Sequence, residues 1–387
     1  MYQVKCLNKI SPLGTSRLGE NYQVGEDVEN PDAILVRSAA MHDMEFNKNL
    51  LAIARAGAGT NNIPVERCVQ EGIAVFNTPG ANANAVKELV IAALLLTSRK
   101  IVPGIEWAGT LKGKGDEVGK LVEKGKSSFV GPEIAGKTLG VVGLGAIGIL
   151  VANAAEALGM KVMGYDPFLS VEGAWGLSSN TQRALTLEEI YANCDYISLH
   201  VPLTPDTKEM INKDSIAMMK DGVVILNFAR DLLVCDSDIE EALKSGKVKK
   251  YVTDFPNFKT ANMEGVIATP HLGASTAESE DNCAKMAVEE LKDFLENGNI
   301  RNSVNFPACD MGVRDKTRIT ILHRNIPNMI GQFTALLAKD NVNIDDMTNK
   351  SRGSYAYTMI DVDNDVAEDV VKGLEMIEGV LKVRVIA

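Results

Sequence analysis

Thr138-Leu139-Gly140-Val141-Val142-Gly143-Leu144-Gly145-Ala146-Ile147-Gly148 is the stretch whose reading decides the fold. Its first half is a short apolar run, the pattern of a strand buried on both faces, and residues 146–158 continue with apolar side chains at helical spacing. The glycines between them stand as G-x-G-x-x-G. In such a strand–turn–helix the first glycine permits the tight turn, the second lets backbone approach a ligand, and the third lets helix pack on strand. Free N–H groups at the helix start then face an anion such as a pyrophosphate. The next apolar run, 161–165, ends in Asp166, a carboxylate placed to accept hydrogen bonds from an adenosine ribose and to repel a 2′-phosphate. Gly143, Gly145, Ala146, Ile147, Gly148 and Asp166 are therefore expected to bind NAD rather than NADP.

Working outward, the same alternation of buried strands and helices extends in both directions. Upstream, apolar runs at 33–36, 50–54 and 73–76 end in Arg37-Ser38, in Arg55-Ala56-Gly57-Ala58-Gly59 and in Asn77-Thr78-Pro79-Gly80. Ligands of open α/β sheets bind beyond the carboxyl ends of strands, so these tips are candidate site residues. A Leu/Ala-rich helix is expected over 86–99, then a loose Gly/Lys-rich span over 103–128. Downstream, a strand at 196–199 leads into His200-Val201-Pro202, with Thr204 and Thr207 close to the cofactor. Strands at 223–227 and 251–254 and the run Ala268-Thr269-Pro270-His271-Leu272-Gly273-Ala274 follow. A long helix spans 277–297, and a polar linker, 307–315, precedes a last unit reading βαββαβ. The expected fold is α/β, with two Rossmann/flavodoxin-like parallel-sheet domains plus a ferredoxin-like C-terminal domain. The expected divisions are 1–97 with 277–306, 98–276, and 315–387.

Composition narrows the function. A chain of 387 residues with 45% hydrophobic and 24% charged residues has the balance of a multi-domain globular protein. A net charge of -11 disfavours nucleic acid and means that an anionic substrate needs a local basic pocket. No apolar run reaches the ~18 residues that suggest a membrane span, and residues 1–18 lack a signal-type apolar core, so a cytoplasmic protein is expected. Six scattered cysteines with no C-x-x-C pair point to neither disulfides nor a metal site.

Two side chains at strand tips suit alcohol oxidation. Hydride can leave a carbinol carbon only as the hydroxyl proton leaves, which requires a base titrating near neutrality, and His271 is placed for it. A carboxylate and a developing carbonyl call for a planar, permanently charged donor, and Arg230 supplies one. His200 is the other histidine at a strand tip of the nucleotide unit; before Val201-Pro202 it reads as a cofactor-lining residue.

Residues 1–305 resemble the D-isomer-specific 2-hydroxyacid dehydrogenases. The matching strings are Arg55-Ala56-Gly57-Ala58-Gly59-Thr60-Asn61-Asn62, Gly140 to Gly148, Asn227 to Arg230, and Thr269-Pro270-His271-Leu272-Gly273-Ala274-Ser275-Thr276. The tail resembles an ACT domain, an amino-acid-sensing module. The resemblance implies Arg230 and His271 as the catalytic pair. It implies Phe228, Ala229, Asp254, Gly273 and Ala274 beside NAD with His200, Val201, Pro202 and Thr207, and Arg37, Ser38, Arg55, Ala56, Gly57, Ala58, Gly59 and Lys126 at the substrate. Within the family it points to oxidation of D-3-phosphoglycerate to 3-phosphohydroxypyruvate, the first step of serine biosynthesis, in a homodimer or homotetramer. His323, Asn325 and Asn343 match positions that contact L-serine. The alternatives are oxidation of another small anionic 2-hydroxy acid, or NAD sensing with vestigial catalysis.

Three positions depart from the family pattern. The glutamate that usually follows the Asp254 position and orients the histidine is missing from Thr253-Asp254-Phe255-Pro256-Asn257-Phe258-Lys259, which leaves Asp254 and Glu264 as the acids to consider. The usual glycine after the catalytic arginine is Asp231, and a usual glycine in the ACT-like loop is Asn328.

Overall fold

The computed structural model describes residues 1–387. The chain divides into two compact units, one made of Met1–Asn82 with Ala277–Ala387 and the other of Ala83–Thr276.

In the second unit seven strands pair in parallel. From one edge to the other they run Gln182–Arg183, Lys161–Tyr165, Thr138–Val142, Tyr196–Leu199, Val223–Asn227, Val248–Thr253 and Val266–Ala268. Numbered along the chain this is 3-2-1-4-5-6-7, the doubly wound order. The order reverses between Val142 and Leu199, so the glycine loop and His200 sit side by side at the switch point. Helices Ala83–Ser98 and Ala146–Ala157 cover one face, where Val90 and Leu94 meet Val141, Val151 and Ala155. By this packing the helix Ala83–Ser98 belongs to the second unit, a division earlier in the chain than the expected 97/98.

The expected loose span 103–128 is a correction: helices Ile101–Gly109 and Val118–Gly125 occupy most of it. Their apolar residues, Ile101, Val102 and Ile105 in one and Val118, Leu121 and Val122 in the other, recur at helical spacing, although neither helix buries a residue.

The first unit holds a five-stranded parallel sheet in the order Tyr22–Gly25, Tyr2–Cys6, Ala33–Val36, Ala52–Arg55, Ala74–Phe76, a 2-1-3-4-5 winding. The helix Ala277–Asn297 packs on it, with Phe294 against Phe76 at 5.4 Å between ring centroids. Residues 302–305 run along the open side of Ala74–Phe76. Val304 N–H donates to Val75 O at 2.9 Å, while the Asn305 side chain accepts from Val75 N–H and donates to Ile73 O.

The tail of this unit is a four-stranded antiparallel sheet in the order Ile344–Arg352, Tyr355–Val362, Thr317–Arg324, Val380–Ile386, with helices Met329–Lys339 and Glu368–Glu375 on one face. Alternation separates its two faces. Ile319, Ile321 and Ile360 meet the helices, while Leu322, Tyr357 and Met359 join the core of the five-stranded sheet and its long helix. Arg318 lies on that second face, buried, and its guanidinium grips Asp361 with two bonds of 2.6 and 2.8 Å.

Candidate active site

The glycine loop has the shape its spacing called for. Gly143 has φ +92°, and a Cβ there would lie 2.7 Å from His200 O. At Gly148 a Cβ would fall 1.9 Å from Gly143 O, so the helix start rests directly on the turn. Gly145 differs, because a Cβ there would meet nothing within 4 Å. Packing thus demands the outer two glycines, while the middle one borders open space at the start of Ala146–Ala157. That is the room and the N–H-rich helix end a pyrophosphate needs. Asp166 accepts from Leu144 N–H and Phe168 N–H at 2.8 Å each, which ties the end of its strand to the glycine loop.

His200 bonds through Nε2 to Ser198 Oγ at 2.8 Å, and burial pushes its imidazole down to about 4. It is neutral at physiological pH with too low a basicity for a general base, and its backbone walls the glycine turn. Thr207 Oγ1 donates to Pro202 O at 2.6 Å and fixes the turn that follows.

At the tips of the neighbouring strands the chain gathers Arg230, Phe255, His271 and Asp254. Asn227, buried at the end of its strand, shapes the first tip: its Oδ1 accepts from Ala229 and Arg230 N–H, and its Nδ2 donates to Arg230 O and Tyr251 Oη. Asp231 has no positive φ, so the glycine usual at that position is not required by this backbone. The Phe255 ring is near both polar side chains, 4.5 Å from the His271 ring centroid and 6.0 Å from the Arg230 guanidinium carbon. Thr269 N–H donates to Thr253 O, which extends the pairing of Val248–Thr253 with Val266–Ala268 towards His271. Asp254 is buried beneath this cluster, and one of its oxygens accepts from Gly273 N–H at 3.2 Å. Glu264 is exposed in the loop before Val266–Ala268. Phe255 and Asn227 were not singled out from the sequence, although an Asn closing a buried strand before a turn is a readable signal.

In the first unit Asn8, also unforeseen, organises a strand tip. Its Oδ1 accepts from the N–H groups of Arg37, Ser38 and Ala39, each at 3.0 Å. Arg37 pairs with Glu280 at 2.6 Å, and Arg55 donates through Nε to Arg37 O. The Arg55 guanidinium lies so close to Gly57 that a Cβ there would sit 2.9 Å from Nη1. Thr78 N–H donates to Gly57 O and Asn77 Nδ2 to Ala58 O, holding the Ala56–Gly59 loop. Lys126 belongs to the second unit, where it is exposed and paired with Glu123.

Residues 91–273 match the family model described as D-isomer specific 2-hydroxyacid dehydrogenase, NAD binding domain. D-3-phosphoglycerate dehydrogenase of Haemophilus influenzae is 30% identical to this chain over 358 residues, which span 89% of this chain and 83% of that one. The chain belongs to the D-isomer specific 2-hydroxyacid dehydrogenases. Hydroxypyruvate reductase of Thermotoga maritima is 37% identical over 297 residues, covering 74% of this chain and 92% of that one. Several other curated relatives are longer, the chain spanning 53% to 64% of their length. Among solved structures, NAD+-bound 3-phosphoglycerate dehydrogenase of Entamoeba histolytica superposes with a TM-score of 0.60 at 27% identity, over 79% of this chain and 98% of that one. This 2-hydroxyacid dehydrogenase is accordingly an NAD-dependent oxidoreductase.

In the dehydrogenase's C-terminal sheet the three expected effector residues are not brought together within one chain. His323 is buried, and both ring nitrogens are engaged, with Arg324 O at 2.8 Å and Thr358 Oγ1 at 2.9 Å. Asn325 is exposed at the same end of the sheet, where it donates to Gly353 O. Asn343 pairs with Asp363 at the opposite end, beyond the Thr317–Val362 pairing. Asn328 has φ +64° at the start of Met329–Lys339, so it takes the left-handed conformation that a glycine would otherwise supply.

Proposed function

We propose that this chain oxidises D-3-phosphoglycerate to 3-phosphohydroxypyruvate, with His271 as general base and Arg230 as anchor of the substrate carboxylate. The observation that carries the reading is the placement of an imidazole and a guanidinium around one aromatic ring at neighbouring strand tips. NAD, when bound at the glycine loop, would supply the hydride acceptor for C2. His271 takes the hydroxyl proton as the C2–H bond breaks and the carbonyl forms, so the charge gained by the imidazole balances the charge lost with hydride. Arg230 holds the carboxylate with fixed N–H donors and keeps C2 in register. Gly143, Gly145, Ala146, Ile147, Gly148 and Asp166, with His200, Val201, Pro202, Thr207, Phe228, Ala229, Gly273 and Ala274, are assigned to NAD. Arg37, Ser38, Arg55 and the Ala56–Gly59 loop are assigned to the substrate, since a phosphate asks for cations beyond Arg230. Lys126 is the weakest assignment, because it is already ion-paired with Glu123.

The assay is NADH formation with D-3-phosphoglycerate beside D-lactate, D-glycerate and an NADP control. Turnover with the phosphorylated acid supports the reading, and preference for an unphosphorylated acid would move the chain closer to the hydroxypyruvate reductase it also resembles. NAD binding without turnover on any acid would favour a sensor.

The βαββαβ tail supports an ACT domain as a regulatory unit. With both His323 ring nitrogens in use, an L-serine ligand would have to engage the loop at Asn325–Asn328 or displace one of these bonds. Titration calorimetry with L-serine tests this, and absence of heat at millimolar serine would remove the assignment. A homodimer or homotetramer is supported by apolar side chains left on the surface between Ile101 and Val130, among them Ile105 and Val130 at 66% and 72% exposure. Light scattering of the purified protein measures it.

A further inference from the structure

A histidine that gains a proton during turnover needs a partner for its charge, and the segment after Asp254 supplies no glutamate. Asp254 is 1% exposed, and only one of its oxygens is bonded, to Gly273 N–H at 3.2 Å. The other oxygen, Oδ1, is buried with no hydrogen-bond partner. A buried carboxylate oxygen without a donor is costly unless a cation stands near it. The charged groups acting on it come from two elements, Arg230 on the tip of Val223–Asn227 and His271 after Val266–Ala268. Burial raises the Asp254 carboxyl above its ordinary range, and His271, before Arg230, pulls it back. Neither Arg230 nor His271 is in direct ion-pair contact with Asp254, and Arg230 Nη1 donates to Ala229 O instead. Backbone links fix Asp254 to the histidine loop, since its bonded oxygen holds Gly273, two residues beyond His271, while Phe255 packs on the His271 ring.

We infer that Asp254 is the positioning residue for His271, supplying from the preceding strand end the negative charge that a downstream glutamate gives elsewhere in the family. When His271 takes the substrate proton, the imidazolium is balanced by Asp254, and Gly273 N–H keeps the carboxylate in place. The inference rests on the reading of His271 as general base, but its test does not.

The test follows the ring signals of the four histidines by NMR as pH is varied, in protein free of NAD, comparing the native chain with Asp254→Asn and Glu264→Gln. Asparagine keeps the size of the side chain and the acceptor for Gly273 N–H while removing the charge. The expected result is that Asp254→Asn alters the pH dependence of the His271 ring signals and Glu264→Gln leaves it in place. His200, on the same unit, and His323, in the C-terminal sheet, report that the fold is intact. An unmoved His271 titration in Asp254→Asn with those signals unchanged overturns the inference, as does a shift produced by Glu264→Gln instead. Turnover of His271→Ala, measured separately, tests the base assignment, so the two failures are distinguishable.

Discussion

Glu290 offers a test of how burial sets stability in the first unit. It sits on the helix Ala277–Asn297 at 7% exposure; Oε1 accepts from Asn302 Nδ2 at 2.6 Å, and Oε2 is buried without a partner. Burial first, with the neighbouring Glu289 adding to it, pushes the carboxyl from its ordinary 4.5 up to about 7, against the pull of Asn302. Between those two values the folded chain holds a proton that the unfolded chain has lost, so stability falls as pH rises through this window. Below about pH 4.5 the penalty is absent, and above about 7 it is complete, at about 3 kcal/mol for the full difference. Glu290→Gln keeps the acceptor for Asn302 and removes the charge, but puts an unpartnered amide where Oε2 was, at a cost of about 1 kcal/mol. The expected net gain at pH 8 is about 1–2 kcal/mol, which raises the melting temperature of a unit this size by roughly 3–6 °C. Calorimetric melting of both proteins at pH 5 and pH 8 measures it. A variant that melts at or below the native chain at pH 8, or a difference equal at the two pH values, would refute the reasoning.

Other consequences follow from the site and the tail. Arg230→Gln should fold normally and lower turnover by ~100-fold or more, because an uncharged amide cannot hold a carboxylate as a fork of fixed donors does; steady-state kinetics with saturating NAD reads this. Gly148→Ala should destabilise the second unit strongly, since its Cβ would press on Gly143 O, whereas Gly145→Ala should melt like the native chain and lose NAD affinity. Melting curves and NAD titrations separate the two glycines. Asp361→Ala leaves the Arg318 guanidinium buried without its carboxylate and should cost about 3–5 kcal/mol, seen as early unfolding of the C-terminal sheet in hydrogen exchange.

The parts of this fold legible in the sequence were those whose residues face the interior on every side. Ala33–Val36 and Val223–Asn227 are buried throughout, so each appears as an unbroken apolar run. Tyr2–Cys6 and Tyr22–Gly25 escaped notice because they mix buried and open positions over only four or five residues, with Gln3, Lys5 and Gln23 interrupting the pattern. At the site, the glycine spacing and the two catalytic candidates could be read because their chemistry is local. The pairing of Asp254 with its surroundings could not. It depends on two strands separated in sequence being neighbours, and on one carboxylate oxygen being left without a donor. Asn8 is a similar case, a polar residue whose role exists only because three successive N–H groups of a different loop point at it.

The Asn305 side chain has a consequence for how the protein behaves in company. Its carboxamide accepts from Val75 and donates to Ile73, the two bonds that a peptide group of an added strand would make. The side chain, with the backbone of residues 302–304 beside it, therefore occupies the template at which strands from other molecules could stack. The five-stranded sheet ends in a plug carried by its own chain, set by residues that arrive only after the long helix has folded back. A molecule caught before that return, still emerging from synthesis or clipped near residue 300, would present Ala74–Phe76 as a bare edge to its neighbours, so at this edge the hazard of self-assembly is greater for the incomplete chain than for the finished one.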